Sequence, residues 1–275
     1  MSARVAVMMP AYNCEKYIKE AILSVFNQTY TDWHLYISDD GSSDRTREII
    51  QKTVNDRDKV TILLQEQNLG NPRNRNALLK AAKDHELLAI LDADDRALPE
   101  RIEKQVAYFD KYSDISLLGS DIEIIDEKGE VQGIREYPRA HNQIERTLLV
   151  FDPFAQPAVM FRSSALDLVG GYDEELARCQ DYDLFVRMIH SGIVSANMPE
   201  PLTGFRVFKG QGKYQNLSKA LWYSLKVRSR HLFTRQGFSL RGLLMWFLYF
   251  GGSVVSTILP SSLFKNFFTK LFIRS

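Results

Sequence analysis

Leu88-Ala89-Ile90-Leu91-Asp92-Ala93-Asp94-Asp95 decides how this chain is read. An apolar run of strand length, Leu87 to Leu91, ends in three carboxylates within four residues, Asp92, Asp94 and Asp95. Carboxylates that close repel one another unless positive charge sits between them. A hard divalent cation with oxygen ligands, Mg²⁺ or Mn²⁺, answers that need and typically brings a phosphate with it. Open α/β sheets also bind ligands just beyond the carboxyl ends of their strands. The plainer reading is a solvated acidic turn before a helix that starts near Pro99. The two are even on this stretch alone, so the surrounding sequence has to separate them.

Upstream, short apolar runs alternate with amphipathic stretches. Val5 to Met9, His34 to Ser38, Val60 to Leu64 and Leu87 to Leu91 read as strands. Between them the pattern predicts helices over Glu15 to Gln28, Asp44 to about Asn55, and Asn71 to about Lys83. Asn13 and Ser43 stand where helix caps belong, and Pro72 suits a first helical position. This β-α-β-α-β-α-β order predicts an α/β fold with a mostly parallel central sheet covered on both faces. Downstream, the pattern predicts a helix from Pro99 to about Tyr112 and a long strand, Ile115 to Ile125, that turns at Glu127-Lys128-Gly129-Glu130 into Val131 to Tyr137. A helix near Gln143 to Val150, a strand at Ala158 to Arg162 and a helix at Asp181 to His190 follow. Strands at Ile193 to Asn197 and Thr203 to Phe208 close the body.

Bulk numbers permit one large domain plus an appendage in 275 residues. Cys14 and Cys179 have no metal or redox spacing and point to a reducing compartment. No secretory signal is expected, since Val5 to Met9 is short and runs straight into the fold pattern. The net charge of +1 conceals an asymmetry. After Glu200 there is no Asp or Glu, and twelve Lys and Arg lie between Arg206 and Arg274. A basic tail on an acidic body points to an anionic partner.

Three further groups carry chemistry. Asp39-Asp40-Gly41-Ser42-Ser43-Asp44 stands at a strand end, where its carboxylates can accept hydrogen bonds from a base or ribose; the plain alternative is a turn capped by Ser43. Asn68-Leu69-Gly70 precedes Arg73 and Arg75, either of which can contact a diphosphate bidentately or simply line a solvated helix face. Gln180-Asp181-Tyr182-Asp183 opens a helix on which positions 181, 184, 185 and 188 share the apolar side. Asp181 thus points inward and suits a general base. Asp183 better suits a residue that complements the helix dipole.

Val-Met-Met-Pro-Ala-Tyr-Asn (Val7 to Asn13), DDGSSDRT (Asp39 to Thr46), NLG with RNRNAL (Asn68 to Leu78), LDADD (Leu91 to Asp95) and GGYDEEL with QDYDLFVR (Gly170 to Arg187) occur in one order. Together they resemble an inverting family-2 glycosyltransferase of the type-A nucleotide-sugar-binding fold, over residues 4 to 208. The resemblance implies that Asp39 contacts the nucleobase and that Pro10, Ala11, Tyr12 and Asn13 line the nucleotide. It implies that Asp92 serves ribose and metal, that Asp94 is the principal ligand of Mn²⁺ or Mg²⁺, and that Asp181 deprotonates the acceptor. Asp40, Gly70, Arg75 and Ala93 join the expected donor site, and Arg206 is expected to grip the diphosphate.

Two departures stand out. Gln180 precedes the base where Glu is frequent, and Phe208-Lys209 stand where a His is often found. The Gln-X-X-Arg-Trp signature of processive synthases is absent, so one sugar per encounter is expected. The expected donor is a UDP-sugar and the expected acceptor a glycan or lipid-linked glycan precursor. Residues 1–95 would form a nucleotide-binding half and 96–210 an acceptor-binding half.

The tail, 211–275, is expected to be helical and basic. Gly242 to Phe264 is 23 residues without a charge, long enough to span a bilayer. Gly251-Gly252-Ser253 and Pro260 interrupt it, and Lys265, Lys270 and Arg274 would have to cross. Leu263, Phe264, Phe267, Phe268, Leu271 and Phe272 form one helical side opposite those cations, which is an interfacial pattern. In-plane attachment to the anionic inner face of the cytoplasmic membrane is therefore expected ahead of a span. Packing on the body or on a second copy, giving a homo-oligomer, is the alternative. Nucleic acid is disfavoured, because the tail aromatics lie in apolar runs.

A sugar-phosphate nucleotidyltransferase would want a Gly-rich loop where Pro10-Ala11-Tyr12-Asn13 stands, and a dehydrogenase would want G-x-G-x-x-G there. A catalytically dead scaffold would be expected to lack Asp94 or Asp181.

Overall fold

The computed structural model describes residues 3–54, 57–208, 217–232 and 240–258. Nine strands form one sheet: β1 Val5–Ala11, β2 Trp33–Asp39, β3 Val60–Leu64, β4 Leu87–Ile90, β5 Arg96–Ala97, β6 Ile115–Ile125, β7 Val131–Arg135, β8 Met160–Arg162 and β9 Val194–Arg206. Their order is β3-β2-β1-β4-β8-β6-β9-β5, with β7 also on β6.

The first four strands pair in parallel, as the alternating apolar and amphipathic stretches require. The second half is mixed. Strand β8 runs antiparallel to both β4 and β6, β7 and β5 are antiparallel to their neighbours, and β6 lies parallel to β9. The two-residue β5, invisible to periodicity, pins the chain just after the acidic run to β9 through Arg96 and Ala97.

Helices cover both faces. On one lie α1 (Ile18–Phe26), α2 (Thr46–Thr53) and α4 (Arg101–Lys111). Their Ile22, Ile50 and Phe109 pack with Val5, Val7 and Met9 of β1. On the other lie α3 (Asn71–Ala81), α5 (His141–Thr147) and α7 (Gln180–His190), which pack with Ala6 and Met8. The alternation along β1 splits its side chains between the two layers. The short α6 (Ala165–Val169) adjoins α7, and α8 (Leu217–Leu232) with α9 (Leu240–Ile258) forms the helical appendage.

Two helix starts differ from the sequence expectation. Helix α1 begins at Ile18, and Asn13 is not its cap. Instead Asn13 stands at φ 49°, and its Oδ1 accepts from the Ser43 N–H at 2.9 Å. Nor does Ser43 cap α2; Asp44 receives the Thr46 N–H at 2.9 Å and the Glu15 N–H at 3.1 Å. These polar side chains tie two loops to each other, which outweighs local capping. The expected amphipathic side at Leu263 to Phe272 lies outside the described residues.

Candidate active site

Register puts the carboxyl ends of three strands side by side. Ala11 is level with Asp39, and Met8 with Ile90, so the loops after β1, β2 and β4 meet at one edge of the sheet. Among them lies a cleft of about 610 Å³, lined by Pro10 to Tyr17, Asp40, Asp44, Asn68, Asn71, Asn74, Arg75, Asp92 to Asp94 and Phe208.

Fixed loops form its walls. Ser42 Oγ accepts from the Asn13 N–H at 2.9 Å, the reciprocal of the bond from Ser43 to Asn13. Asp40 spends both carboxylate oxygens on the loop after β3, accepting from the N–H groups of Leu69 at 2.8 Å and Gly70 at 3.1 Å. Gly41 permits this approach. Its φ is +70°, and a Cβ there would meet the backbone of Gln67 at 2.8 Å. Asp39 is fully buried behind the cleft. Arg47 holds its Oδ2 through Nε at 3.0 Å and Nη2 at 2.9 Å, while its Oδ1 has no hydrogen-bond partner among the described residues.

The acidic run forms a tight turn, closed by the Asp95 N–H donating to the Asp92 carbonyl at 3.1 Å. One carboxylate oxygen from each of Asp92, Asp94 and Asp95 lies within 4.8 Å of the others. Asp95 is buried; its Oδ1 accepts from the Arg206 N–H at 2.7 Å, and its Oδ2 has no hydrogen-bond partner among the described residues. Burial, then the charges of Asp94 and Asp92, push the Asp95 carboxyl well above the carboxylate range. Such an all-oxygen group with an unpartnered buried acceptor fits a hard divalent cation.

Two arginines brace this group from inside the protein. Arg75 Nη2 donates to Asp92 Oδ1 at 2.6 Å, and its Nε donates to Asn71 Oδ1 at 2.7 Å. Burial works against the Arg75 charge, but Asp92, Tyr172 and Asp181 together more than offset it, and the guanidinium stands above its ordinary value. Arg101 lies wholly buried and donates to the Ile90 carbonyl at 2.8 Å; burial pushes it down to about 9, against the opposing pull of Asp95 and Asp92.

Asp181 is half-buried at the start of α7. Its Oδ1 accepts from the Tyr182 N–H at 2.9 Å. With the Gln156 side-chain amide set in the orientation that satisfies its neighbours, its nitrogen donates to Asp181 Oδ2 at 3.0 Å and its oxygen accepts from Tyr172 Oη at 3.1 Å and Arg75 Nη1 at 3.2 Å. A hydrogen-bonded chain thus runs from Asp92 through Arg75 and Gln156 to Asp181. Burial raises the Asp181 carboxyl, Arg75 pulls it back and Asp92 adds to the rise.

Of the residues expected at the donor site, Pro10, Ala11, Tyr12, Asn13, Asp40, Arg75, Asp92, Ala93 and Asp94 line the cleft. Gly70 stands behind it as the N-cap of α3. Arg206 requires correction. It does not line the cleft but lies fully buried under the acidic turn, donating to the carbonyls of Asp94 and Asp126, both at 2.8 Å, and to Glu20 at 2.6 Å. Those bonds and the Tyr17 ring, 4.6 Å away, commit the guanidinium to the protein. Arg73 is exposed and pairs with Glu174 at 3.1 Å. Lys209 lies outside the described residues.

The family model for glycosyl transferase family 2 matches residues 6–168. The chain belongs to that family. It is 33% identical over 256 residues to an uncharacterised glycosyltransferase of Methanocaldococcus jannaschii, covering 91% of this chain and 87% of that one. It is 30% identical over 211 residues to the O-antigen biosynthesis glycosyltransferase WbnJ of Escherichia coli, covering 74% and 79%. Among solved structures it resembles residues 1–349 of S. aureus TarS in complex with UDP-GlcNAc, with a TM-score of 0.64 and 19% identity over 93% of this chain and 82% of that one.

This family-2 glycosyltransferase has site residues that sequence reasoning passed over. Gln156 and Tyr172 connect Arg75 to Asp181, and Arg101 underlies the acidic turn. Tyr172 lay inside a quoted motif, but its partners are remote in sequence. Gln156 carries no charge, and only its topological neighbours reveal it.

Proposed function

We propose that this glycosyltransferase moves one hexosyl or N-acetylhexosaminyl group from a UDP-sugar to a hydroxyl of a glycan or lipid-linked glycan precursor, with inversion and one sugar per encounter. The observation that carries the reading is the hydrogen-bonded chain that couples the acidic turn to Asp181. It places an acidic metal-type group and a candidate base on either side of one buried guanidinium. In this reading residues 1–95 hold the donor, 96–210 hold the acceptor, and the tail from 211 attaches to the inner face of the cytoplasmic membrane.

Of the two buried acceptors without a partner among the described residues of the donor half, Asp95 Oδ2 belongs to the acidic turn and Asp39 Oδ1 is left for a base. Asp39 Oδ1, unpaired and rigidly aimed by Arg47, suits the N–H of a uracil ring. Asp92, Asp94 and Asp95 would hold Mg²⁺ or Mn²⁺, which supplies charge stabilisation for the departing diphosphate. Asp181 takes the proton from the acceptor hydroxyl. The freed oxygen lone pair forms a bond to the anomeric carbon as the bond from that carbon to the diphosphate oxygen breaks on the opposite side. Gln156 fixes Asp181 by donating to the oxygen that does not already receive the Tyr182 N–H. Arg75 compensates part of the charge of this acidic group by pairing with Asp92 Oδ1.

A panel of UDP-, GDP- and dTDP-sugars titrated calorimetrically into the protein, with Mn²⁺ and then with chelator, tests the donor. Metal-dependent binding of one UDP-sugar is the expected result. Binding of no donor, with or without metal, would leave a scaffold with the same fold.

A further inference from the structure

We propose that the outward side of α9 is a bilayer-docking surface, formed by Leu240, Leu244, Phe247, Leu248 and Phe250. It deepens the peripheral-attachment part of the reading above and is independent of the donor chemistry. Among the described residues no helix is long and apolar enough to cross a membrane. Yet Leu240 is 79% exposed, Leu244 61% and Phe247 57%, and Leu248 and Phe250 are exposed beside them. Positions 240, 244, 247 and 248 recur at helical spacing, so these side chains form one stripe rather than scattered contacts. An apolar patch of that kind on a soluble domain marks an interaction site.

The opposite side of α9 is committed. Gly242 is buried, Trp246 Nε1 donates to Ser229 Oγ at 2.7 Å, and the Tyr249 ring lies 4.1 Å from the Arg228 guanidinium. Arg228 in turn donates to the carbonyls of Leu149 and Val150, both at 3.1 Å. Helix α8 is therefore fastened to the body, and α9 to α8, with the apolar stripe turned away from both.

Charge selects the occupant. The two helices carry Lys219, Lys226, Arg228, Arg230 and Arg241 and no acidic residue. From residue 201 to the end there are twelve cations and no anion. Lys219 and Arg241 are exposed, the latter one position from the stripe. Lys226, Arg228 and Arg230 are engaged with the body, and the exposed Lys219 and Arg241 beside an apolar stripe match an anionic lipid surface, with the leucines and phenylalanines at the acyl boundary and these two cations among headgroups. The exposed Trp222 on α8 is a residue suited to that depth. Helix α7, which begins with the Asp181 site, packs against α8 in the same core. Docking through α9 would thus hold α8, and with it the helix that carries Asp181, next to the lipid surface that would supply a lipid-linked acceptor.

The test is flotation of the full chain with phosphatidylcholine vesicles, with and without phosphatidylglycerol, at low and high salt. Wild type should float with the anionic vesicles and less so at high salt. The double variant Leu244→Glu/Phe247→Glu should lose partition by about tenfold or more, as expected when two apolar side chains no longer leave water. Its UDP-sugar affinity should match wild type, which shows that the body is folded. Flotation of the double variant at wild-type level overturns the proposal; loss of flotation only in Phe267→Glu/Phe268→Glu would then place attachment further along the chain. Failure of wild type to float also overturns it, and conversion of an oligomer to a monomer by Leu244→Glu/Phe247→Glu would assign the stripe to a second copy. Absence of donor binding in wild type would sink the donor reading and leave the flotation result standing.

Discussion

Arg75 sets the character of the site, because a buried guanidinium stays charged and needs an opposite charge to offset the loss of water. It is 5% exposed, paired with Asp92 at 2.6 Å and in reach of the Gln156 oxygen. Through Gln156 its influence extends to Asp181. If Asp181 is the base, Asp181→Asn removes the proton acceptor and keeps the shape. Transfer should then fall by about 10²- to 10⁴-fold, the range for loss of a general base, while calorimetric donor affinity stays close to wild type. Near-normal turnover in that variant would remove Asp181 from the mechanism. Gln156 acts at one remove. Gln156→Leu leaves Arg75 Nη1, Tyr172 Oη and Asp181 Oδ2 without a partner and frees the carboxylate to turn. The expected result is a kcat lower by about ten- to a hundredfold with little change in donor KM, and partial rescue in Gln156→Asn. An equal loss in donor affinity would show a structural role only. Asp181 stood out in the sequence as an acid on the apolar side of a helix, yet in α7 it is half-buried, and Asp183, expected to complement the helix dipole, is the buried one. Glutamine in Gln156-Pro157-Ala158 breaks no pattern, so nothing local announces its role.

At the scale of elements, the acidic turn is held from three sides: by β4, by the short β5 and by the end of β9. Arg206, the last residue of β9, does the joining. Its N–H binds Asp95, and its guanidinium reaches Asp94, Asp126 and Glu20. Arg206→Met keeps the length and removes the charge and its bonds. Loss of one partner from a buried charged network costs about 3–5 kcal/mol. Glu20 is 43% exposed, so part of that network is screened and the lower end is expected in urea denaturation. Metal-dependent donor affinity should fall as well, since the turn loses its anchor; unchanged stability would show the network to be dispensable.

The same elements show where sequence legibility ends. Four parallel strands and three helices were readable, because each strand is a short run of mostly apolar residues and each helix keeps one apolar stripe. Strand β9 was expected as two strands, Ile193 to Asn197 and Thr203 to Phe208, and Pro199 and Pro201, which remove ladder donors, lie between them. It nevertheless runs unbroken from Val194 to Arg206, and its pairing with β6 absorbs the prolines through register shifts around Asp121. Asn13 and Ser43 were expected as caps and instead bind each other, since a side chain that closes a loop-to-loop contact leaves no trace in local spacing.

The whole molecule joins an acidic body to a basic appendage, and acid should act on the two at different pH. Asp183 and Asp173 fasten α8 to the body. Asp183 receives Arg187 at 2.7 Å and lies 3.4 Å from His231, and Arg230 pairs with Asp173. For both acids burial raises the carboxyl, but the hydrogen bonds and cations outweigh it, and both stand below the usual range. A depressed folded value means that the stabilisation is present above the ordinary carboxylate pKa, about 3.9, and is lost as pH falls below it. Asp181 has the opposite sign. Its folded value is raised, so its protonation is favoured by folding, and acid silences the base without weakening the fold. Acidification should therefore produce two separate events. Transfer falls first, reversibly, on the high-pH side of the ordinary carboxylate pKa, with the appendage still attached. Only at lower pH does the appendage loosen, which the emission of Trp222 and Trp246 reports in a Trp33→Phe protein, these being the remaining two of the three tryptophans. A parallel titration of transfer rate and tryptophan emission checks the order. Coincident midpoints would mean that activity is lost because the appendage leaves, and that Asp181 does not set the acid limb.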